Sequence, residues 1–567
     1  MRDLPLLLCA ALALGACANE ASVTPAADAG PDVADAGSAA DASPAADAGP
    51  DVVDAAPALA VHWGPCDGFA DLEDGRAECA DVQVPLDWDR PDGERIALHL
   101  RHLRAIAPSG RAVWMLMGGP GQAGGDGEGL AAVLSARDPG LDVYLPDHRG
   151  TGASTALVCP IASSPSSPGG PGILPAEWPG CRDEVVAEWG DRLRHFSTTA
   201  AARDLRALID ATRAPADRVF VLGISYGTYL AHRYLQVAPD QSAGVILDSV
   251  CPPGACTLSD EDRWEDAEAR ALLARCAAEP ACATRLGADA AARLTALYAR
   301  VAGGHCNLAS TPARNAWLLR SALGNMMMSA AQRRAIPAVI YRMERCGDAD
   351  RAALGALYTS MWGAQWPAVA SLFAQGAQGT PFVRVPVTPP LGGGPGAGYS
   401  FPLAVNILTS ELWEPADPSP AELTRRWEGT LACRGVSRQA GWQTPGWPRY
   451  RDPLAQQVFA SEVPILMLNA EIDSATPARL ARAFAARLRP PLQRYVEVPD
   501  AAHTVVAQGV LDADRTTTCG RELVLQFLRD PRATLDTGCL GRAIPLAFTA
   551  SPELSRLLFG TSSLWGD

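Results

Sequence analysis

The run Val219-Phe220-Val221-Leu222 leads straight into Gly223-Ile224-Ser225-Tyr226-Gly227, and Leu230, Tyr234 and Leu235 follow at helical spacing. The apolar run predicts a buried strand and the repeating apolar positions after it predict a helix. Between them there is room only for a sharp turn. Glycine at the first and last positions of that turn fits a backbone so tight that a side chain at either place would clash. Ser225 is thereby held out at the carboxyl end of a strand, with its hydroxyl accessible and a helix N-terminus beside it that favours negative charge. A chain with this feature needs a sheet whose strand ends carry its chemistry.

The rest of the globular sequence supplies such a sheet. Strands are predicted at Ile96–Leu103, Val113–Met117, Val143–Leu145, Val219–Leu222, Val245–Leu247, Ile465–Leu468 and Tyr495–Val498. Amphipathic stretches such as Ala200–Thr212 and Tyr229–Gln236 lie between them. This alternation predicts an α/β fold, a mostly parallel central sheet with helices on both faces. From about Pro252 to Ser461 the pattern turns helical, as in Ala267–Cys276 and Ala290–Val301, with a Gly/Pro-rich break around Pro389–Gly398. Because strands resume at Val463, residues 252–461 read as an inserted, mainly helical cap between two core segments, 58–251 and 462–567.

The chain begins with Arg2 and the apolar run Leu4–Leu14, then Leu14-Gly15-Ala16-Cys17. The run is too short to span a bilayer and reads as a signal peptide, residues 1–17. Small residues before a cysteine resemble the bacterial lipobox, which implies lipidation of Cys17 and export to the cell envelope. Ala18 in place of Asp favours the outer membrane. Residues 18–57 are mostly Ala, Asp, Pro and Gly, with almost no large apolar side chain, and repeat PAADAGPDV from Pro25 and again from Pro44. Such a segment buries too little surface to offset its ordering entropy, and reads as a disordered, acidic tether. The net charge of −15 argues against nucleic acid as a partner, since phosphate binding needs a basic face. Thirteen cysteines follow Cys17. In an exported chain they predict disulfides, with Cys66/Cys79, Cys159/Cys181, Cys276/Cys282 and Cys519/Cys539 as plausible bridges. The odd total leaves at least one thiol unpaired. No Cys/His set has zinc-site spacing, so no metal is expected.

A serine hydroxyl is a weak nucleophile until a neighbouring base takes its proton, and that base needs a carboxylate to orient it. Of the eight histidines, His62 precedes the first predicted strand, His99 and His102 belong to an early one, and His148 comes before the turn. His195 and His305 follow no strand in the right order, and His232 sits on the helix after Ser225. His503 closes the loop after Tyr495–Val498 and is the remaining base. For the acid, Glu471 and Asp473 follow the strand Ile465–Leu468, and Asp500 precedes His503. After the strand Val113–Met117 comes Gly118-Gly119-Pro120-Gly121, whose missing side chains let its backbone approach a substrate.

These features resemble the proline iminopeptidase and tripeptidyl aminopeptidase branch of the α/β-hydrolases. The matching elements are Gly118-Gly119-Pro120-Gly121, Asp147-His148-Arg149-Gly150-Thr151-Gly152-Ala153-Ser154, the turn at Ser225, and the loops of Asp473 and His503. Cys519 and Cys539 resemble the pair that closes the C-terminal region of secreted members. The resemblance spans roughly residues 60–545. It implies the triad Ser225, Asp473 and His503, an oxyanion hole from the N–H groups of Gly119 and Tyr226, and cofactor-free hydrolysis of peptides from a free N-terminus. Recognition of the substrate ammonium would fall to cap carboxylates, with Glu411, Glu414 and Asp417 as candidates and Trp413 as an apolar wall. Asp147 and Arg149 are expected to form a charge pair bracing a loop. Met117 replaces the His often found before the glycine loop, and His148 the Gln common in its element. An esterase or lipase could use the same triad, and a dead hydrolase fold could serve as an anchored binding protein.

Overall fold

Along the strand Arg111–Leu116 successive side chains leave on opposite faces, and both faces are covered. Val113 and Met115 pack with Leu130, Leu134, Leu523 and Phe527, while Trp114 and Leu116 pack with Leu205, Leu208, Tyr229 and Leu230. The computed structural model describes residues 59–567 apart from 67–68, 70–73, 163, 165, 168–172, 174–175, 309–311, 363–398, 444 and 512–516. The chain divides into Met1–Ala55 and Ala56–Asp567, and the described residues belong to the second unit. Cys17, the signal peptide, the tether and the Gly/Pro-rich break at 389–398 lie outside the described residues.

Nine strands form one sheet among the described residues: β1 (Gly64–Pro65), β2 (Ala77–Pro85), β3 (Arg95–Leu103), β4 (Arg111–Leu116), β5 (Leu141–Pro146), β6 (Arg218–Ile224), β7 (Gly244–Asp248), β8 (Ile465–Ala470) and β9 (Gln493–Val498). Their order is β1-β2-β3-β5-β4-β6-β7-β8-β9. Neighbours from β5 to β9 run parallel, and β1, β2 and β3 add an antiparallel edge. This is the α/β-hydrolase fold the sequence predicts, and all seven expected strands are present. The strand order reverses direction at β4. The crevice between the carboxyl ends of β4 and β6 is therefore where such a sheet binds ligands, and both the glycine loop and Ser225 lie there.

The inserted segment has its own apolar core, built from helices such as Glu261–Ala274, Ala290–Ala302, Pro312–Met327 and Ile336–Arg345. Two elements depart from the expected partition. The helix Phe401–Glu411 packs its Leu403, Val405 and Ile407 with the sheet's own core. Conversely, Phe548, Leu558, Phe559 and Trp565 from the chain's end pack with the inserted helices.

Six disulfides tie the described residues. Four are the expected neighbours, Cys66–Cys79, Cys159–Cys181, Cys276–Cys282 and Cys519–Cys539, and Cys251–Cys256 and Cys306–Cys346 join them. Cys433 is a buried free thiol. This set fits an exported protein.

Asp147 and Arg149 each take a different partner, which corrects the expected pair. Asp147 binds Arg101 at 2.8 Å and the N–H of Ala153 at 2.8 Å. Arg149, 1% exposed, donates twice to Asp204, once from Nε and once from a terminal nitrogen, both at 2.6 Å. Its remaining donors reach the carbonyls of Pro85, Leu86 and His195. Burial pushes the Asp204 carboxyl up, against the pull of Arg149. Arg149→Met removes the charge partner of that buried carboxylate, leaving it the Trp88 indole N–H at 2.9 Å, and takes a donor from three carbonyls; it is expected to cost about 3–5 kcal/mol in urea unfolding. A loss below ~1 kcal/mol would show that the pair is dispensable.

Candidate active site

Gly227 is so close to β4 that a Cβ there would lie 2.1 Å from the Leu116 carbonyl oxygen, and a Cβ at Gly223 would lie 2.3 Å from that of Gly227. No side chain fits either gap, so the turn at Ser225 requires both glycines. Ser225 sits at φ 57°, ψ −123°, at the start of the helix Tyr226–Val237. For a residue with a Cβ this costs of order 1–3 kcal/mol and persists only where its surroundings hold it. Here the Ser225 N–H donates to the Asp248 carbonyl at 2.9 Å. Ser225 is partly exposed between buried Ile224 and Tyr226. The glycine loop lies against it, with the Cβ position of Gly118 3.0 Å from the Ser225 Cβ.

Asp473 and His503 lie in hydrogen-bond contact. The His503 Nδ1 is 2.9 and 3.0 Å from the two carboxylate oxygens. Asp473 is fully buried and also accepts from the N–H groups of Ala475 and Thr476 and from the Thr476 hydroxyl, at 2.9–3.0 Å. Burial pushes its carboxyl up. The charge of His503 and the hydrogen bonds from His503 and Thr476 outweigh that and hold it below the ordinary 3.8. An ionised carboxylate at Nδ1 requires the proton there and leaves Nε2 as the basic nitrogen.

The two rival acids are occupied by the cap. Arg275 binds Glu471 at 2.7 Å and Asp500 at 2.6 Å, while the buried Arg333 donates to the carbonyls of Ile472 and Asp500. The inserted helices thus brace both loops that carry the acid and the base. Sequence reasoning found neither arginine, because their partners lie far along the chain.

The expected ammonium ligands are each paired within the chain. Glu411 is 3% exposed and accepts from the Thr198 N–H at 2.8 Å and the Tyr450 hydroxyl at 2.6 Å, with Arg233 3.5 Å away. Glu414 is paired with Arg426 at 2.6 Å, and Asp417 with Arg449 and the Trp413 indole N–H at 2.9 Å. Each carboxylate is paired with an arginine; Glu411 is buried, whereas Asp417 lies exposed on the surface. The Tyr226 hydroxyl meets that of Thr198 at 2.9 Å, so Glu411 and Tyr226 belong to one buried network behind the turn. His148 is also buried, which pushes its imidazole down to about 4, and its ring lies 6.2 Å from that of Tyr226.

Sheet topology, the turn at Ser225 and the ends of β4, β6, β8 and β9 define the class: this is an α/β-hydrolase fold. Comparison with known proteins agrees. Residues 112–273, which contain Ser225, match the family described as alpha/beta hydrolase fold, and residues 429–539, which contain Asp473 and His503, match the one described as TAP-like protein. The chain therefore carries an alpha/beta hydrolase domain with a TAP-like segment. It is 30% identical over 253 residues to the serine protease Hip1 of Mycobacterium tuberculosis, a match covering 41% of this chain and 47% of that protein. It is 28% identical over 244 residues to the tripeptidyl aminopeptidase of Streptomyces lividans, covering 37% and 44%. The matches span about half the length of these curated relatives. Among solved structures, the proline iminopeptidase of Mycobacterium smegmatis overlays with a TM-score of 0.34 at 14% identity, over 80% of this chain and 98% of that one.

Proposed function

We propose that the protein is a serine hydrolase acting through an acyl-enzyme, and that it is an aminopeptidase releasing residues or short peptides from free N-termini. The observation that carries this reading is the buried Asp473–His503 pair at the same sheet edge as Ser225. In the proposed reaction, His503 Nε2 takes the proton of the Ser225 hydroxyl as its oxygen attacks the substrate carbonyl. The N–H groups of Gly119 and Tyr226 stabilise the oxyanion. His503 then protonates the leaving amine and activates the water that releases the acyl group. The names of the matched relatives, a serine protease and a tripeptidyl aminopeptidase, support a peptide substrate. The Leu14–Cys17 segment supports a lipid anchor at Cys17, with the catalytic unit held on a tether outside the cell's inner membrane.

The test offers the purified protein aminoacyl, prolyl and tripeptidyl arylamides with free amines, the same compounds N-blocked, and short acyl esters. Cleavage confined to free-amine arylamides is expected. Turnover of esters alone would make the protein an esterase, and a folded chain that neither turns over nor takes up a fluorophosphonate would make it a binding protein.

A further inference from the structure

Three segments must come into register for this site: the turn of Ser225, the loop of Asp473 and the loop of His503. All three are hydrogen-bonded to one short stretch at the end of β7. The carbonyl of Asp248 accepts the N–H of Ser225 at 2.9 Å. The N–H of Ser249 donates to the carbonyl of Leu468 in β8 at 2.9 Å, and that of Val250 to the Asn469 side chain at 2.9 Å, so the stretch is fixed to the strand that leads to Asp473. The side chains take the third segment. The hydroxyl of Ser249 accepts the N–H of Thr504 at 2.7 Å. The two carboxylate oxygens of Asp248 accept those of Val505 at 2.8 Å and Val506 at 2.9 Å.

These are the three consecutive N–H groups that follow His503. Both clamping side chains are fully buried, and the Ser249 hydroxyl donates to Asp248 at 3.1 Å. Ser249 and Thr504 adopt φ values of 61° and 72°, as Ser225 adopts 57°. Residues with a Cβ rarely hold this conformation unless surrounding contacts enforce it. Three such residues meet at one junction, and each is hydrogen-bonded there.

We propose that Asp248 and Ser249 are positioning residues that set the His503 imidazole against Ser225 by clamping the backbone that follows it. Neither side chain needs to touch the substrate. The carboxylate is suited to the task because it offers an acceptor to each of two adjacent N–H groups, whereas an amide of the same shape offers one and turns a donor toward the other. A hydroxyl at 249 completes the row with a third acceptor. This inference rests on Ser225 and His503 being nucleophile and base.

The experiment measures kcat and KM of the full chain carrying Asp248→Asn or Ser249→Gly on the arylamide that the wild type cleaves best, with fluorophosphonate labelling rates alongside. Glycine at 249 keeps the positive φ accessible and removes the small CH2OH side chain with its hydroxyl, so that variant folds even where Asp248→Asn does not. A displacement of the base by a fraction of an ångström to 1 Å lowers kcat by up to ~100-fold. The expected result is a fall in kcat and in labelling rate of ~10- to 100-fold, with KM within about threefold of wild type. Unchanged kcat and labelling in a folded Ser249→Gly protein would overturn the clamp while leaving the triad intact. So would a rise in KM with kcat unchanged. Failure of the wild type itself to label would overturn the triad, and the clamp with it.

Discussion

Ser225→Ala is expected to lower kcat by roughly a million-fold, and His503→Ala by the same order, because nucleophile and base act as one unit. For that reason the double variant should be no slower than either single one. The geometry makes the experiment clean. The Ser225 side chain makes no capping hydrogen bond to the helix it begins, and alanine keeps the Cβ that already tolerates φ 57°. Thermal unfolding of Ser225→Ala should therefore match wild type within a few degrees, and loss of turnover would report chemistry rather than unfolding. Contaminating wild-type protein sets the floor of such a measurement, so active sites should be counted with a fluorophosphonate in the same samples. A Ser225→Ala protein that retains more than a thousandth of wild-type kcat would remove Ser225 from the mechanism.

Much of this was legible because the sheet's centre is written in unbroken apolar runs. Strands buried on both faces need few polar side chains, and β4 to β8 were found for that reason. The edge was harder. In β2 the apolar positions Ala80, Val82 and Val84 alternate with exposed Asp81 and Gln83, a weak period-two pattern beside long hydrophobic stretches. β1 has only two residues. The proposed triad illustrates the same boundary. His503 could be reached by elimination, since histidine is scarce, but three carboxylates stand after suitable strands. They differ only in what surrounds them. Asp473 is enclosed with donors on both oxygens, while Glu471 and Asp500 are drawn off by Arg275, a side chain from the inserted helices.

Charge counting does not show how carboxylates pair. Glu411, Glu414 and Asp417 look like free carboxylates in the sequence, yet Arg233, Arg426 and Arg449 come to meet them from other elements. Asp248 escaped notice for the opposite reason. It sits at the end of the strand after the nucleophile, at the same sheet edge as every other site residue, but its work is done through backbone N–H groups that carry no sequence signature. Disulfides followed a similar rule. Four pairs could be read from spacing, but Cys251–Cys256, only 5 residues apart, was not among them, and Cys306–Cys346, 40 residues apart, depends on how the helices between β7 and β8 stack.

Asp473→Asn tests the acid and should cost about 10⁴-fold in kcat, less than loss of Ser225 or His503 but far more than loss of an ordinary buried hydrogen bond. The reason lies in the tautomer. Asp473 accepts from the His503 Nδ1 while its oxygens also serve the N–H groups of Ala475 and Thr476 and the Thr476 hydroxyl. An asparagine there keeps its carbonyl oxygen toward those donors and turns its NH₂ toward the imidazole. Nδ1 must then accept, which moves the ring proton to Nε2, where it can no longer take a proton from Ser225. A second signature comes from acid unfolding. The carboxyl of Asp473 is held below its ordinary 3.8, so its ionised form stabilises the fold above that pH, and this contribution is lost as pH falls through the native value. Asparagine has no such term, so the variant's stability should fall less steeply with acid than that of the wild type. Stopped-assay kinetics and thermal unfolding from pH 7 down to about 3 measure both effects. A kcat within tenfold of wild type would return the orienting role to Glu471 or Asp500, whereas the expected loss with a flatter acid profile assigns it to the carboxylate at the end of β8.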